Sequence, residues 1–321
     1  MNIDFFEKLE NPFIIDITDK KKYSFEDYVN VQKQLEEKNI DKFLENLYPK
    51  EKMRTTFEEM KRRTTRGICQ KIIDISNNNI PEKQLFKIGN GGNGKNCFVC
   101  CTSLFNDRYT ASLSIKESLE NVGFNGYFLL LNGGFPNPTG IEMKYLGVPY
   151  SFKIFMMLEA KNLGFERVIW LDAACYAVNN PEQLFDIVAE DDVIFRAFPP
   201  NCFNPDTCVN IIFPKTVELL SNLVKRDIRD DINVNSIVFG LNFRSSKIDN
   251  FINEYYEMVK LGLPFLSSFP EEIVFTSIFN KPEYKYVFKN RNEILKLYIH
   301  ETYLDKEQAK NYGYYFLQRA Y

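Results

Sequence analysis

The feature that most constrains this chain is the stretch Val168-Ile169-Trp170-Leu171-Asp172-Ala173-Ala174-Cys175-Tyr176-Ala177-Val178, an apolar run with one acid inside it. It follows Gly164 and stops at Asn179-Asn180-Pro181. A run of this length and β-branched content, bounded by turn residues, predicts a strand buried on both faces, the kind found inside parallel sheets. Asp172 then stands where an uncompensated charge is expensive, so it must find partners or bind a cation. Ligands of open α/β sheets bind beyond the carboxyl ends of strands, which makes Asp172 the first candidate site residue.

With 321 residues, 45% of them hydrophobic, the chain can build one large core or a core with an appendage. Forty basic residues against 43 acidic ones give a net charge of -3 and no global field to hold nucleic acid or an acidic membrane. Charges in Met1-Asn2-Ile3-Asp4-Phe5-Phe6-Glu7-Lys8 exclude a signal-peptide core there, and no apolar run reaches membrane-spanning length. The expectation is a soluble, cytoplasmic protein without a transmembrane segment. Seven cysteines, an odd number, fit a reducing compartment. Cys97-x-x-Cys100 has redox or zinc spacing, but Cys97-Phe98-Val99-Cys100-Cys101 reads as a strand, with no second pair or histidine nearby. These read as small core residues.

Residues 24–75 predict helices, opening on a capping-box sequence at Ser24-Phe25-Glu26-Asp27, with apolar residues at helical spacing through Val31, Leu35, Phe43 and Leu47. This is an N-terminal helical extension over 1–90. Its segment Lys61-Arg62-Arg63-Thr64-Thr65-Arg66 reads as a solvated helix face. Gly89 and Gly94-Lys95 match the spacing of a phosphate-binding loop, with Asn96 in place of the magnesium-binding hydroxyl. Such a loop must open a helix; here the glycines lead into a strand and read as a flexible joint.

From Cys97 strands and helices alternate: a strand to Thr102, a helix over 107–122, a strand over 126–131, and a helix over 151–163 feeding the Asp172 strand. That is the βαβαβ half from which nucleotide-binding sheets are built. Thr102 and Ser103 lie at the strand edge where a base or ribose would sit, and Arg108 and Tyr109 either contact the same ligand or form an exposed turn pair. Downstream, 193–196 is a strand, 198–207 an aromatic loop suited to shaping a pocket, and 232–240 a half-exposed strand that groups Asn233, Asn235 and Ser236. Helices follow at 246–261 and from Phe269-Pro270-Glu271-Glu272 to Asn280, then a late strand at Leu297-Tyr298-Ile299-His300.

The block Val148-Pro149-Tyr150-Ser151-Phe152-Lys153, a helix, Gly164-Phe165-Glu166-Arg167-Val168-Ile169-Trp170-Leu171-Asp172-Ala173-Ala174, then Pro181 and Leu184-Phe185, resembles nucleotide-sugar-dependent glycosyltransferases of the GT-A fold. There a Tyr-x-x-Lys/Arg helix precedes a strand ending in Asp-x-Asp. The likeness covers residues 97–195. It implies an α/β fold, GT-A-like and Rossmann-like, with a mixed, mostly parallel sheet, helices on both faces and the helical extension in front. The domain would span 97–321, with a donor-binding half at 97–200 and an acceptor or catalytic half at 201–321. It further implies transfer of a sugar from a nucleoside-diphosphate donor, a UDP-sugar first among them, to a hydroxyl on a glycan or protein acceptor.

By the same resemblance Asp172 and Lys153 meet the donor, with Tyr150 on the same helix and Thr102, Ser103, Arg108, Tyr109 and Asn235 around it. Ala174 stands where the second acid belongs. Since manganese and magnesium want several oxygen ligands, a Mn2+ or Mg2+ cofactor would rest on Asp172, on the donor's own diphosphate, and on His300, the only histidine, which is either a ligand or structural. Glu271 and Glu272, at a helix N-terminus that favours ionised carboxylates, are either the catalytic base or ordinary helix starters. Two other classes fit the residues: a degenerate nucleotide-sugar or glycan binder, because of Ala174, and a nucleotidyltransferase.

Overall fold

The computed structural model describes residues 11–18, 20, 24–38, 40–47, 80–102, 108–132, 142–145, 147–199, 212–267, 269–288 and 296–320. Ser103, the Lys61–Arg66 segment, Cys69, Cys202, Cys208 and most of the aromatic loop lie outside the described residues, as does the side chain of Arg108. Two N-terminal helices, α1 (Phe25–Glu37) and α2 (Ile40–Leu47), precede the sheet. Ser24 caps α1 as its sequence requires: its hydroxyl accepts from the Asp27 amide, and the Asp27 carboxylate accepts from the Ser24 amide.

The elements of the main body are β1 (Lys83–Ile88), β2 (Asn96–Thr102), α3 (Arg108–Asn121), β3 (Gly126–Asn132), α4 (Phe152–Asn162), β4 (Arg167–Leu171), β5 (Cys175–Ala177), α5 (Glu182–Asp191), β6 (Val193–Phe198), α6 (Pro214–Val224) and β7 (Asn233–Asn242). After them come α7 (Ser246–Leu261), α8 (Pro270–Phe279), β8 (Tyr298–His300), α9 (Lys306–Asn311) and β9 (Phe316–Gln318). A six-stranded sheet has the order β1-β3-β2-β4-β7-β6. Strands β2, β3 and β4 are parallel neighbours, β1 and β7 run antiparallel to theirs, and β6 returns to the common direction. The α/β architecture is therefore the expected mixed one, with most strands running one way. A second sheet of three strands, β5-β9-β8, stands at the carboxyl edge of the first.

Alternation along each central strand feeds two cores. Cys97 and Val99 of β2 face one apolar cluster with α4, α7 and α8, while Phe98 and Cys100 face the other with α3 and α5. The first cluster is aromatic where β7 meets α7 and α8: Phe239 stacks on Phe275 at 4.7 Å and Phe251 on Phe279 at 4.5 Å. Such offset pairs add to the area term of burial. Cys97 and Cys100 are buried free thiols within this sheet, pushed up by burial, so they are core residues as their strand context requires.

Three expectations change. The apolar run is not one strand: it breaks at Asp172, where β4 leaves the large sheet, and resumes as β5 in the small one. A charged side chain that needs partners cannot continue a dry ladder, so the chain turns there, with the Cys175 amide donating to the Asp172 carbonyl. Residues 232–240 alternate polar and apolar, yet β7 lies between β4 and β6 and is mostly buried. Finally, the glycine segment does not part the helical extension from the domain. It joins β1 to β2, and β1 is the sheet's edge strand. Phe13, Val31, Leu35 and Phe43 belong to the main core. Gly147 packs so closely that a Cβ there would lie 2.2 Å from the Phe13 carbonyl oxygen, a position only glycine allows.

Candidate active site

Four elements meet at the carboxyl end of β4. Asp172 leaves that strand half-exposed, its Oδ1 accepting from Trp170 Nε1 at 2.6 Å and its amide donating to the Ile237 carbonyl. Residues i and i+2 of a strand share a face, which explains why Trp170 can reach it. Helix α4 supplies Lys153 one residue into its first turn, only 4% exposed, with Nζ 3.0 Å from Asp172 Oδ1 and 2.7 Å from Glu271 Oε1. The indole of Trp170 lies under the same ammonium at 5.6 Å. Strand β7 contributes Ser236, whose Oγ accepts from Lys153 at 2.9 Å and donates to Glu271 at 2.8 Å.

Helix α8 begins at Pro270, so Glu271 and Glu272 occupy its first turn, where free amides and the dipole favour a carboxylate. Their surroundings drive them apart. Glu271 is buried; burial alone would push its carboxyl up, but the Lys153 charge and hydrogen bond and the Ser236 hydroxyl outweigh that and hold it below the usual carboxylate range. Glu272 Oε1 accepts from Asn235 Nδ2 at 2.7 Å and from the Ser236 amide at 3.0 Å. Burial, then the neighbouring charge of Glu271, pushes Glu272 up to about 7. Around one ammonium, three carboxylates are one too many for a dry site even after Asp172 faces outward, and Glu272 resolves the excess by keeping a proton near neutrality. Lys153 moves the other way: burial lowers it, but the Asp172 and Glu271 charges prevail and keep it protonated.

Beside this cluster opens a cleft of about 540 Å³. Arg196 of β6 and Tyr298 of β8 form part of its wall, together with His300 and Thr302. Cleft and cluster are joined by one chain of hydrogen bonds: Tyr298 Oη donates to Asn235 Oδ1 at 2.9 Å, and Asn235 in turn donates to Glu272. Arg196 is the cross-strand partner of Asn235. Neither Arg196 nor Tyr298 is singled out by sequence pattern, because each looks like a strand residue until the small sheet is folded against β6.

The sequence candidates therefore separate. Asp172, Lys153, Asn235, Glu271 and Glu272 come together. Lys153 is buried beneath Asp172, so it holds the carboxylates in place and is not itself open to a donor. Tyr150 precedes α4 with a φ of 56°, an uncommon conformation for an aromatic residue, and its ring packs on Phe152. Thr102 is buried at the end of β2. Tyr109 is turned toward the other edge, donating to Gln84 Oε1 of β1 at 3.2 Å. Ala174 lies in the turn after Asp172, its carbonyl accepting from the Arg319 amide.

The strand register sets His300 across β9 from Cys175, close in sequence to the Asp172 turn. Its Nδ1 accepts from the Thr302 amide at 3.2 Å. The Thr302 hydroxyl lies 2.8 Å from the same nitrogen, so Nδ1 is engaged from within its own turn. Asp172 Oδ1 already faces an ammonium and an indole N–H, Ala174 supplies nothing, and among the described residues no group of three or more His, Cys, Asp or Glu is placed to share an ion. These residues do not fit a manganese or magnesium ion held by the protein.

No protein-family model matches the sequence, and no curated protein matches it. Among solved structures, it is similar to a glycosyltransferase involved in the glycosylation of the major capsid of PBCV-1, at 14% identity, 69% of this chain, 92% of that one and a TM-score of 0.35. It is also similar to galactosyltransferase LgtC in complex with donor and acceptor sugar analogs, at 12% identity, 70% and 87% coverage and a TM-score of 0.37. Mouse xyloside xylosyltransferase 1 gives 10% identity, 69% and 96% coverage and a TM-score of 0.37. Likenesses this distant leave function to the site itself.

Proposed function

We propose that the chain transfers a sugar from a nucleoside-diphosphate donor, a UDP-sugar in the first instance, to a hydroxyl of a glycan or protein acceptor. The observation that carries this reading is the pair of adjacent carboxylates, Glu271 and Glu272, driven to opposite protonation behaviour beside an open cleft at the carboxyl edge of the sheet. Two titratable groups with divergent acidity mark an acid–base division of labour, and that edge is where α/β sheets bind ligands. The Tyr150-to-Ala174 sequence block, with its likeness to nucleotide-sugar enzymes, supports the donor class.

In this mechanism the acceptor oxygen forms a bond to the anomeric carbon while the bond from that carbon to the diphosphate oxygen breaks. The electron pair leaves with the diphosphate, and the acceptor proton passes to the carboxylate of Glu272. A base that titrates near 7 is matched to that task. Glu271 is paired to Lys153 and buried, so its part is to raise Glu272 and fix Lys153. Asp172, held by Trp170 and Lys153, is the open carboxylate that meets the donor's polar groups.

A thermal-shift screen of nucleotide sugars against nucleoside triphosphates tests the reading, since a ligand that binds only the folded state raises its melting temperature. The expected result is stabilisation by a UDP-sugar and slow release of UDP from it. Stronger stabilisation by a triphosphate would favour a nucleotidyltransferase. Binding without release of UDP under any acceptor or metal condition would favour a binding protein, the reading that Ala174 invites.

A further inference from the structure

Among the described residues Arg196 is the one guanidinium in the wall of the cleft, and its surroundings differ from those of an arginine recruited for stability. Its Cζ lies 4.8 Å from the ring of Phe198 and 5.1 Å from that of Tyr298. Phe198 follows two residues later on the same strand face, and Tyr298 comes from β8, so the two aromatic groups fix the plane from two separate elements. Of its five N–H donors, Nη1 makes a long contact of 3.4 Å with the Tyr298 carbonyl. Among the described residues it forms no ion pair, although Tyr298, whose ring it faces, leads by two hydrogen bonds through Asn235 to the Glu272 carboxyl.

An arginine of this kind is a preformed fork: its orientation is fixed before a partner arrives, and its donors match an oxyanion with two or more oxygens. The second donor in the same cleft is His300. Its Nδ1 is engaged by the Thr302 amide and hydroxyl at 3.2 and 2.8 Å, which leaves Nε2 as the ring nitrogen able to meet a ligand. The cleft volume of about 540 Å³ lies in the range of small-ligand sites. The guanidinium has only donors to offer, so it suits an anion and cannot ligate a metal.

We propose that this cleft is a metal-free diphosphate seat, in which Arg196, seconded by the His300 ring at Nε2, holds the anion in a cleft that Tyr298 and Asn235 link to the Glu272 carboxyl. The proposal rests on the glycosyl-transfer reading for its ligand and explains how that chemistry proceeds with Ala174 in place of an acid. Negative charge that develops on the departing diphosphate is met by a guanidinium fixed in advance, so little reorganisation is needed when the bond breaks.

The test is calorimetric titration of the full chain with UDP, uridine and inorganic pyrophosphate, in chelator and then with added manganese. UDP and pyrophosphate should bind in chelator, and Arg196→Gln should weaken both by about tenfold or more while leaving uridine unchanged. Arg196→Lys, which keeps the charge and loses the fork, should fall between, and His300→Phe should show a smaller loss. Thermal unfolding of each variant separates a lost ligand contact from a lost fold. UDP and pyrophosphate binding that is equal in Arg196→Gln and the parent, or that requires manganese, overturns the seat. If nucleotide-sugar turnover persists in Arg196→Gln with manganese dependence, the seat fails and the glycosyl-transfer reading stands. If pyrophosphate binds through Arg196 but no nucleotide sugar binds or turns over, the seat stands and that reading fails.

Discussion

Lys153 and Arg196 lie at the same edge of the sheet and carry the same charge, but their surroundings are opposite. Lys153 is enclosed by Asp172, Glu271, Ser236 and the Trp170 ring. Arg196 stands in an open cleft between two aromatic rings and, among the described residues, meets no acid. An enclosed cation that satisfies carboxylates is part of how the site is held together. A cation whose orientation is fixed by rings and that pairs with no acid among the described residues is available to something that arrives from solution. Position alone does not tell these roles apart; the partners do.

The strongest way to break this comparison is Lys153→Met. Removing one member of a buried ion pair leaves Glu271 uncompensated, so the variant should lose about 3–5 kcal/mol in urea unfolding, whereas Arg196→Gln should change stability by less than about 1 kcal/mol. Lys153→Met combined with Glu271→Gln should recover part of the loss, because the two residues form one interaction unit. Equal stabilities for the Lys153 and Arg196 variants would erase the distinction.

Asp172→Asn should act on function more than on fold, since the carboxylate is half-exposed and Asn keeps its volume. Turnover of donor should fall on the order of a hundredfold, the usual cost of one electrostatic contact to the reacting groups, with the melting temperature nearly unchanged. Parent-level turnover would move the donor site elsewhere. A subtler measurement concerns pH. Glu272 holds its proton to about 7 in the folded chain against an ordinary value of 4.5. Between those values the folded state binds more protons than the unfolded one. The stability this contributes is therefore full below about pH 4.5 and is lost as pH rises through about 7. Glu272→Gln should flatten that part of the urea midpoint profile, and an unchanged slope would assign it to another group. The smallest expected effect is that of Tyr298→Phe, which removes the hydrogen bond to Asn235 while keeping the ring: about 1 kcal/mol of stability, and a shifted pH optimum for turnover if Asn235 positions Glu272.

Much of the fold could be read from the sequence because its central strands are continuous apolar runs bounded by turn residues: β2, β3 and β4 are buried along nearly their whole length, and the chain order fixes their alternation with helices. Lys83-Gln84-Leu85-Phe86-Lys87-Ile88 carries a strand pattern too, with charges on outward positions of an edge, inside the 1–90 stretch whose leading signal is helical. At the site, Asp172, Glu271 and Glu272 were legible because acids in apolar or helix-start settings stand out. Arg196 was not, though its spacing from Phe198 was a signal available within one strand. Tyr298 comes from a distant stretch that reaches Arg196 only through strand pairing, and the burial of Lys153 depends on Ser236 and Glu271 from two other elements. Local pattern does not encode such meetings.

The order of the small sheet has a consequence for how the protein is made. β9 lies between β5 and β8, although it is the last of the three in the chain. During synthesis the parallel strands β2, β3 and β4 can pair early, each close to the next in sequence, whereas β5 and β8 have no direct contact in the sheet until β9 emerges and is inserted between them. The wall carrying Tyr298 and His300 is thus completed late, after the scaffold around Asp172 has formed. The same late strands carry Phe316 onto Phe98 in the second core, so a nascent chain passes through a stage in which both that core and the cleft are still open.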